Sequence, residues 1–354
     1  MKKVEIFFRK FLLKLLILLN SADKKPGKVN LSKDSKVLFI RLNRIGDALV
    51  TTPLIYAVKN EIGCRVFVLA DAKNYFVFNS PKLADEILIF EKGFFPLWDL
   101  IRKVNKLKFD AVIDLHDDVS TTVSYLLAYI RVPNKIGLQK ENSKLYTNTV
   151  PRLDSRKHHV IERVMNLSSI INLNGFSQDI NIKYFPVQGA LRKVDSFIQN
   201  NYPSKKFIVG INISAGSDAR FWGIENFRKL TNLLKNYPVD YLILSSTRDL
   251  NHAFQISHDK KKIFYSPSFD EFTCIISKID LLFSPDTSTI HLASLYKKPV
   301  FGLYVQYNTD DIIWYPYRSD YETVVTKEPT LENISFESVL EKFIPFLEKQ
   351  LRQK

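Results

Sequence analysis

The sequence predicts an α/β protein built from two doubly wound domains that face each other across a cleft. Three observations carry that expectation. A chain of 354 residues has room for two domains of about 150 residues each. Short β-rich runs alternate with apolar-periodic stretches of helical length, the pattern of parallel βαβ units. The alternation occurs twice, with an interruption near residues 184–202.

In the first half, Val37–Leu42 is β-rich and is followed by a Gly-Asp turn and a helical stretch from Ala48 to Lys59. Strands are expected at Arg65–Leu69, Ile87–Phe90, Asp110–Leu115 and Lys135–Leu138, with a helix running to about Ile130 and another over His158–Leu173. The second half has strands at Phe207–Ile213, Tyr241–Ser245, Lys262–Tyr265, Leu281–Phe283 and Val300–Leu303. Helices are expected at Ile224–Lys235, Asp249–His258, Phe269–Ser277 and Thr287–Tyr296. The boundaries that follow are 1–35 for a basic N-terminal segment, 36–185 and 186–330 for the two domains, and 331–354 for a C-terminal helix. Ligands of such sheets bind beyond the carboxyl ends of the strands, so the loops after Leu42, Leu115, Ile213, Ser245 and Phe283 are the ones that carry chemistry.

A hydrophobic fraction of 45% and a charged fraction of 25% exclude disordered and fibrous classes. Two cysteines, Cys64 and Cys274, exclude a disulfide scaffold and a cysteine-rich zinc site. The net charge is +14, and residues 1–36 hold ten Lys/Arg against three acids, half of that excess. Residues 4–19, VEIFFRKFLLKLLILL, have too many charges for a spanning helix and no good cleavage site after them. Their charges fall on one half of a helical wheel and Phe7, Phe8, Phe11, Leu12 and Leu15 on the other. That suits a helix lying in a membrane interface; packing on the protein's own core is the alternative.

Three constellations sit at strand-to-helix junctions. In Arg41-Leu42-Asn43-Arg44-Ile45-Gly46-Asp47, Asp47 is either a helix N-terminal partner or a general base facing the cleft, with Gly46 permitting close approach. In Ser214-Ala215-Gly216-Ser217-Asp218-Ala219-Arg220, backbone N–H groups and hydroxyls suit phosphate oxygens, and Arg220 adds a fixed positive charge. In Ser284-Pro285-Asp286-Thr287-Ser288-Thr289-Ile290-His291, Asp286 or Thr287 caps a helix whose free N–H groups make an anion site, with His291 one turn in. Neither a dinucleotide fingerprint nor a P-loop is present. Asp114, His116, Asp117 and Asp118 contain hard metal ligands, but strand alternation points them apart. His158-His159 reads as a helix start.

Together these loops resemble glycosyltransferase family 9, the ADP-heptose:lipopolysaccharide heptosyltransferases. The resemblance is carried by residues 37–59, 109–118, 159–175, 209–230 and 284–304, above all by R-x-x-x-x-G-D and P-D-T-S-x-x-H-L. It implies a GT-B architecture and inverting heptosyl transfer from ADP-heptose to the lipopolysaccharide inner core, with neither metal nor cofactor. Asp47 is then the base, and Arg41, Arg44 and Gly46 meet an anionic glycolipid acceptor. Ser214, Gly216, Ser217, Arg220, Asp249, Asp286, Thr287, Ser288 and His291 hold the nucleotide-sugar donor. The enzyme is expected in the cytoplasm, on the inner leaflet of the membrane. Ser214 and Gly223 stand where proline is common in the family, Arg220 replaces a frequent lysine, and residues 245–249 lack the usual glycines. A nucleic-acid-binding protein is the rival class, but no recognised module supports it.

Overall fold

The computed structural model describes residues 2–25, 27–173, 180–204 and 206–353, with the backbone alone for residues 2–10. The end of the 159–175 stretch and the side chains of Phe7 and Phe8 thus lie outside the described residues. The chain divides into two compact units, 1–184 and 185–354.

The first unit carries strands β1 (Lys36–Arg41), β2 (Arg65–Asp71), β3 (Glu86–Phe90), β4 (Ala111–Asp114), β5 (Asn134–Leu138) and β6 (Asn148–Val150). Its helices are α1 (Lys2–Leu19), α2 (Ile45–Leu49), α3 (Thr52–Ala57), α4 (Phe94–Leu107), α5 (Thr121–Tyr129) and α6 (Val160–Met165). The strands are all parallel, in the order β3-β2-β1-β4-β5-β6. The second unit repeats the plan. Its strands are β7 (Phe207–Asn212), β8 (Val239–Ser245), β9 (Ile263–Tyr265), β10 (Leu281–Pro285), β11 (Val300–Val305) and β12 (Tyr321–Thr326), and its helices α7 (Gln188–Asn201), α8 (Ile224–Leu234), α9 (Leu250–Ile256), α10 (Phe269–Lys278), α11 (Ser288–Leu295) and α12 (Phe336–Gln353). Its order is β12-β11-β10-β7-β8-β9. In both units the first and fourth strands lie side by side, with the succession reversing between them. A crevice opens at the carboxyl end of such a switch point.

Central strands buried on both faces need continuous apolar runs, which Val37–Ile40 and Phe207–Ile211 supply; every residue there is buried. The predicted helix 48–59 is broken. Pro53 lacks a backbone N–H, and the hydroxyls of Thr51 and Thr52 donate back to Ala48 O and Leu49 O at 2.7 Å. α3 then continues as a π-helical turn, Val58–Ile62. α4, α7, β6 and β12 were not expected from the sequence.

The first and last described helices each join a core. α12 buries Val339, Phe343, Phe346 and Leu347 in the second unit, where Trp222 Nε1 donates to Ile334 O at 2.9 Å. α1 buries Leu13, Leu16 and Ile17 against the first unit, beside α5. Its opposite stripe of Phe11, Leu15, Leu18 and Leu19, at positions i, i+4, i+7 and i+8, is exposed. The segment after α1 is laced down too: Lys24 Nζ donates to Ser143 O and Tyr146 O at 2.7 and 2.9 Å. Among the described residues, no helix is long and apolar enough to cross a membrane.

Candidate active site

In the first unit, chemistry gathers where β1 and β4 end. Arg41, the last residue of β1, is only 2% exposed. Its guanidinium donates to Asp47 Oδ1 at 2.5 Å, to Asp47 O at 3.0 Å and to Leu115 O at 2.9 Å. The side chain expected to contact an acceptor is therefore buried beneath Asp47, which it holds in place. Coulombic attraction in a half-buried site is stronger than in water, so this pairing fixes the position of the carboxylate. Asp47 lies in the first turn of α2, and its side chain stays 23% exposed. Arg44 is exposed at the N-cap position and Gly46 is half-buried. Between them and β1, Asn43 has φ +89°, a left-handed conformation that asparagine tolerates better than most residues.

A second layer supports that loop from β4. His116 Nδ1 meets Asp114 Oδ1 at 2.7 Å, and its Nε2 accepts the Leu42 N–H at 3.3 Å. The imidazole is therefore neutral with its proton on Nδ1, and burial pushes its pKa down. Asp114 Oδ2 accepts from Lys140 Nζ at 2.9 Å and from the Tyr146 hydroxyl at 2.5 Å. Burial alone would raise the Asp114 pKa; Lys140, His116 and Tyr146 overcome it and hold the carboxyl well below the usual range. A Cβ on Gly137 would strike the Tyr146 ring, so only glycine admits that ring. Asp117 binds Arg152 and Arg163 at 2.8 and 3.0 Å, while Asp118, 94% exposed, lies 3.8 Å from Arg152. Asp114 and Asp117 thus face cations and Asp118 mostly solvent, while His116 is held between the Asp114 carboxylate and the Leu42 N–H. His159 is a helix start: its Nδ1 accepts from Ile161 N and its own N–H donates to Glu162.

In the second unit the loops after β7, β8 and β10 meet. Asn212, fully buried at the end of β7, donates to Ser214 O, Ser284 Oγ and Thr287 Oγ1 at 3.0–3.2 Å. Ser214 Oγ accepts from Ser246 N at 2.7 Å. Gly216 and Ser217 are exposed on this loop. Arg220 and Asp286 pair with each other at 3.1 Å, and Arg220 also donates to Asp286 O; the cation meant for a diphosphate already carries a partner. Thr287 is the N-cap of α11, accepting from Thr289 N at 3.2 Å. The half-buried Thr287 and Ser288 stand at the helix start, where unsatisfied N–H groups favour an anion.

Two donor-side expectations change. Asp249 is 8% exposed and bound by Arg248 at 3.0 Å and by the Ser246 hydroxyl at 2.8 Å. Its pKa, which burial would raise, is held down by those partners, and it anchors the loop. His291 is 3% exposed, its Nδ1 has no hydrogen-bond partner among the described residues, and burial pushes its pKa down to about 4; it is neutral near pH 7 and brings no positive charge to a phosphate. The unfolded chain takes up a proton near pH 6.5 that folded His291 refuses until about pH 4. Stability therefore rises with pH across that window, by up to about 3 kcal/mol from this residue. Denaturant midpoints at pH 5 and pH 7 will differ more for the wild type than for His291→Phe.

Sequence reasoning missed Asn212, Lys140, Tyr146 and Arg248, whose Nη2 reaches Ala215 O at 2.7 Å. Only Asn212, a polar residue ending an apolar strand, leaves a local signal. Gly223, at φ +98°, holds a conformation closed to the proline common there.

The family model described as glycosyltransferase family 9 (heptosyltransferase) matches residues 97–344, well over half of the chain. The chain belongs to glycosyltransferase family 9. It is accordingly a glycosyltransferase, and its two parallel α/β units are those of the GT-B fold. A putative lipopolysaccharide heptosyltransferase 4 of Escherichia coli is 24% identical over 95% of this chain and 92% of its own length. The lipopolysaccharide core heptosyltransferase OpsX of Haemophilus influenzae is 24% identical over 61% of this chain, and the match spans 62% of that protein. Among solved structures, a family 9 glycosyltransferase of Veillonella parvula superposes with a TM-score of 0.77 at 17% identity, covering 91% of this chain and all of the other. Escherichia coli heptosyltransferase WaaC with ADP gives 0.66 at 15% identity, covering 89% and 99%.

Proposed function

We propose that this family 9 transferase moves a heptosyl group from ADP-heptose to the lipopolysaccharide inner core, with inversion and without a metal, on the inner face of the cytoplasmic membrane. The observation that carries the reading is the partly exposed Asp47 carboxylate held at the end of β1 by the buried Arg41. Asp47 takes the proton of an acceptor hydroxyl as that oxygen bonds to the anomeric carbon and the bond to the diphosphate breaks. Attack from the face opposite the leaving group inverts the configuration. The charge left on the diphosphate meets Arg220, the N–H groups at the start of α11 and the Ser214–Ser217 loop; fixed donors aimed at developing charge lower the barrier. Asp286, beside its Arg220 partner, accepts hydrogen bonds from the donor-sugar hydroxyls. Family membership, the two lipopolysaccharide heptosyltransferase relatives and the ADP in a structurally similar enzyme support the donor and acceptor classes. The exposed apolar stripe of α1 and the basic N-terminus support the membrane assignment.

Incubation with a panel of nucleotide sugars and truncated core lipopolysaccharide, read by mass spectrometry, tests this. Heptosylated product is expected from ADP-heptose alone, at an undiminished rate in excess EDTA. Product from another nucleotide sugar overturns the donor assignment; loss of activity restored by Mg²⁺ overturns the metal-free mechanism.

A further inference from the structure

α1, α4 and α5 bury their inner residues in one core with Leu38, Ile40, Phe67, Leu69 and Val112. Those strand residues alternate along β1, β2 and β4, so the three helices form one layer on one face of the sheet. The inner side of α4 is accounted for by Ile101 and Val104, both buried. Its first turn is not. Phe94 and Phe95 are 75% and 77% exposed and Trp98 is 39% exposed, and the three fall within about 100° of one another around the helix. Gly93, at φ +136°, turns the chain out of β3 and sets this turn at the carboxyl end of the sheet. Trp98 rests edge-on against Tyr129 of α5, with ring centroids 5.5 Å apart. Two adjacent Phe side chains so exposed are costly to hydrate.

The surrounding charge favours one occupant. Residues 91–108 carry Lys92, Arg102, Lys103, Lys106 and Lys108 against Glu91 and Asp99. An aromatic tip with cations behind it matches an anionic bilayer, with rings in the acyl boundary and ammonium groups among headgroups. Resting on the membrane reading above, we propose that the first turn of α4 is a second insertion element, separate from α1. One interfacial helix leaves a domain free to roll about its axis; two points fix which edge meets the headgroups. β3 lies two strand spacings, about 10 Å, from β1, and α4 starts at the same edge as Asp47. Insertion here presents the Asp47 edge to a headgroup.

The test uses the full chain with vesicles of phosphatidylcholine alone or with phosphatidylglycerol, and brominated acyl chains as quencher. The expected result is co-sedimentation with anionic vesicles, bromine quenching that disappears in Trp98→Phe, and at least tenfold weaker partitioning of Phe94→Ser/Phe95→Ser. That double variant should keep its thermal midpoint and its activity on a water-soluble acceptor. Co-sedimentation without Trp98 quenching, and with an unaffected double variant, overturns the inference and leaves attachment through α1 standing. Failure of the wild type to co-sediment overturns both. Self-association abolished by the double variant, with no vesicle binding, assigns the patch to a second copy of the chain and likewise overturns the inference.

Discussion

Asp47→Asn will lower turnover by at least about a hundredfold, within the 10²–10⁴ range of general-base catalysis, while donor affinity stays nearly unchanged. Asparagine keeps the volume and an Oδ1 that accepts from Arg41, so the α2 turn is retained and the lost property is the ability to take a proton. Single-turnover rates with a donor titration separate the two quantities. Wild-type turnover in the variant would remove Asp47 from the chemistry and return it to its place beside the helix N-terminus.

Lys140→Ala will destabilise the first unit by about 3–5 kcal/mol, the usual effect of stranding one member of a buried ion pair. The Lys140 side chain is 3% exposed and that of Asp114 fully buried, so no solvent replaces the ammonium group. The sign of the pH dependence identifies the cause. In the wild type the Asp114 pKa lies below its unfolded value, so its contribution is present above that unfolded value and is lost on acidification. In the variant, burial without Lys140 raises the pKa, so the destabilisation is full at neutral pH and shrinks as the carboxyl protonates. Chemical denaturation at pH 5 and pH 8 reads this directly. An equal loss at both values would attribute the effect to packing and not to the charge.

The strands were legible because parallel strands buried on both faces require short, continuous apolar runs, and Val37–Ile40 and Phe207–Ile211 have no other plausible place. α4 and α7 were not. α4 opens with Phe-Phe-Pro, which reads locally as extended, and α7 buries only Ala190 and Val194, too narrow a stripe to stand out. β12 is an edge strand with one buried residue, Thr326. The site was legible as loops, since small and polar residues after a strand have a mechanism attached. It was not legible as pairings: Arg220 meets Asp286 across 66 residues, and nothing local distinguishes an arginine that touches substrate from one buried beneath its neighbour, as Arg41 is.

The placement of α1 has a consequence for synthesis of the chain. Leu13, Leu16 and Ile17 dock beside α5, which is made a further hundred or so residues later. At about 5–20 residues per second, the α1 segment therefore waits roughly 5–20 s for its partner. During that interval both its stripes, the one destined for the core and the one left outside, are bare. A holdase, or the lipid surface itself, therefore has its opportunity before α5 emerges and the first sheet has closed.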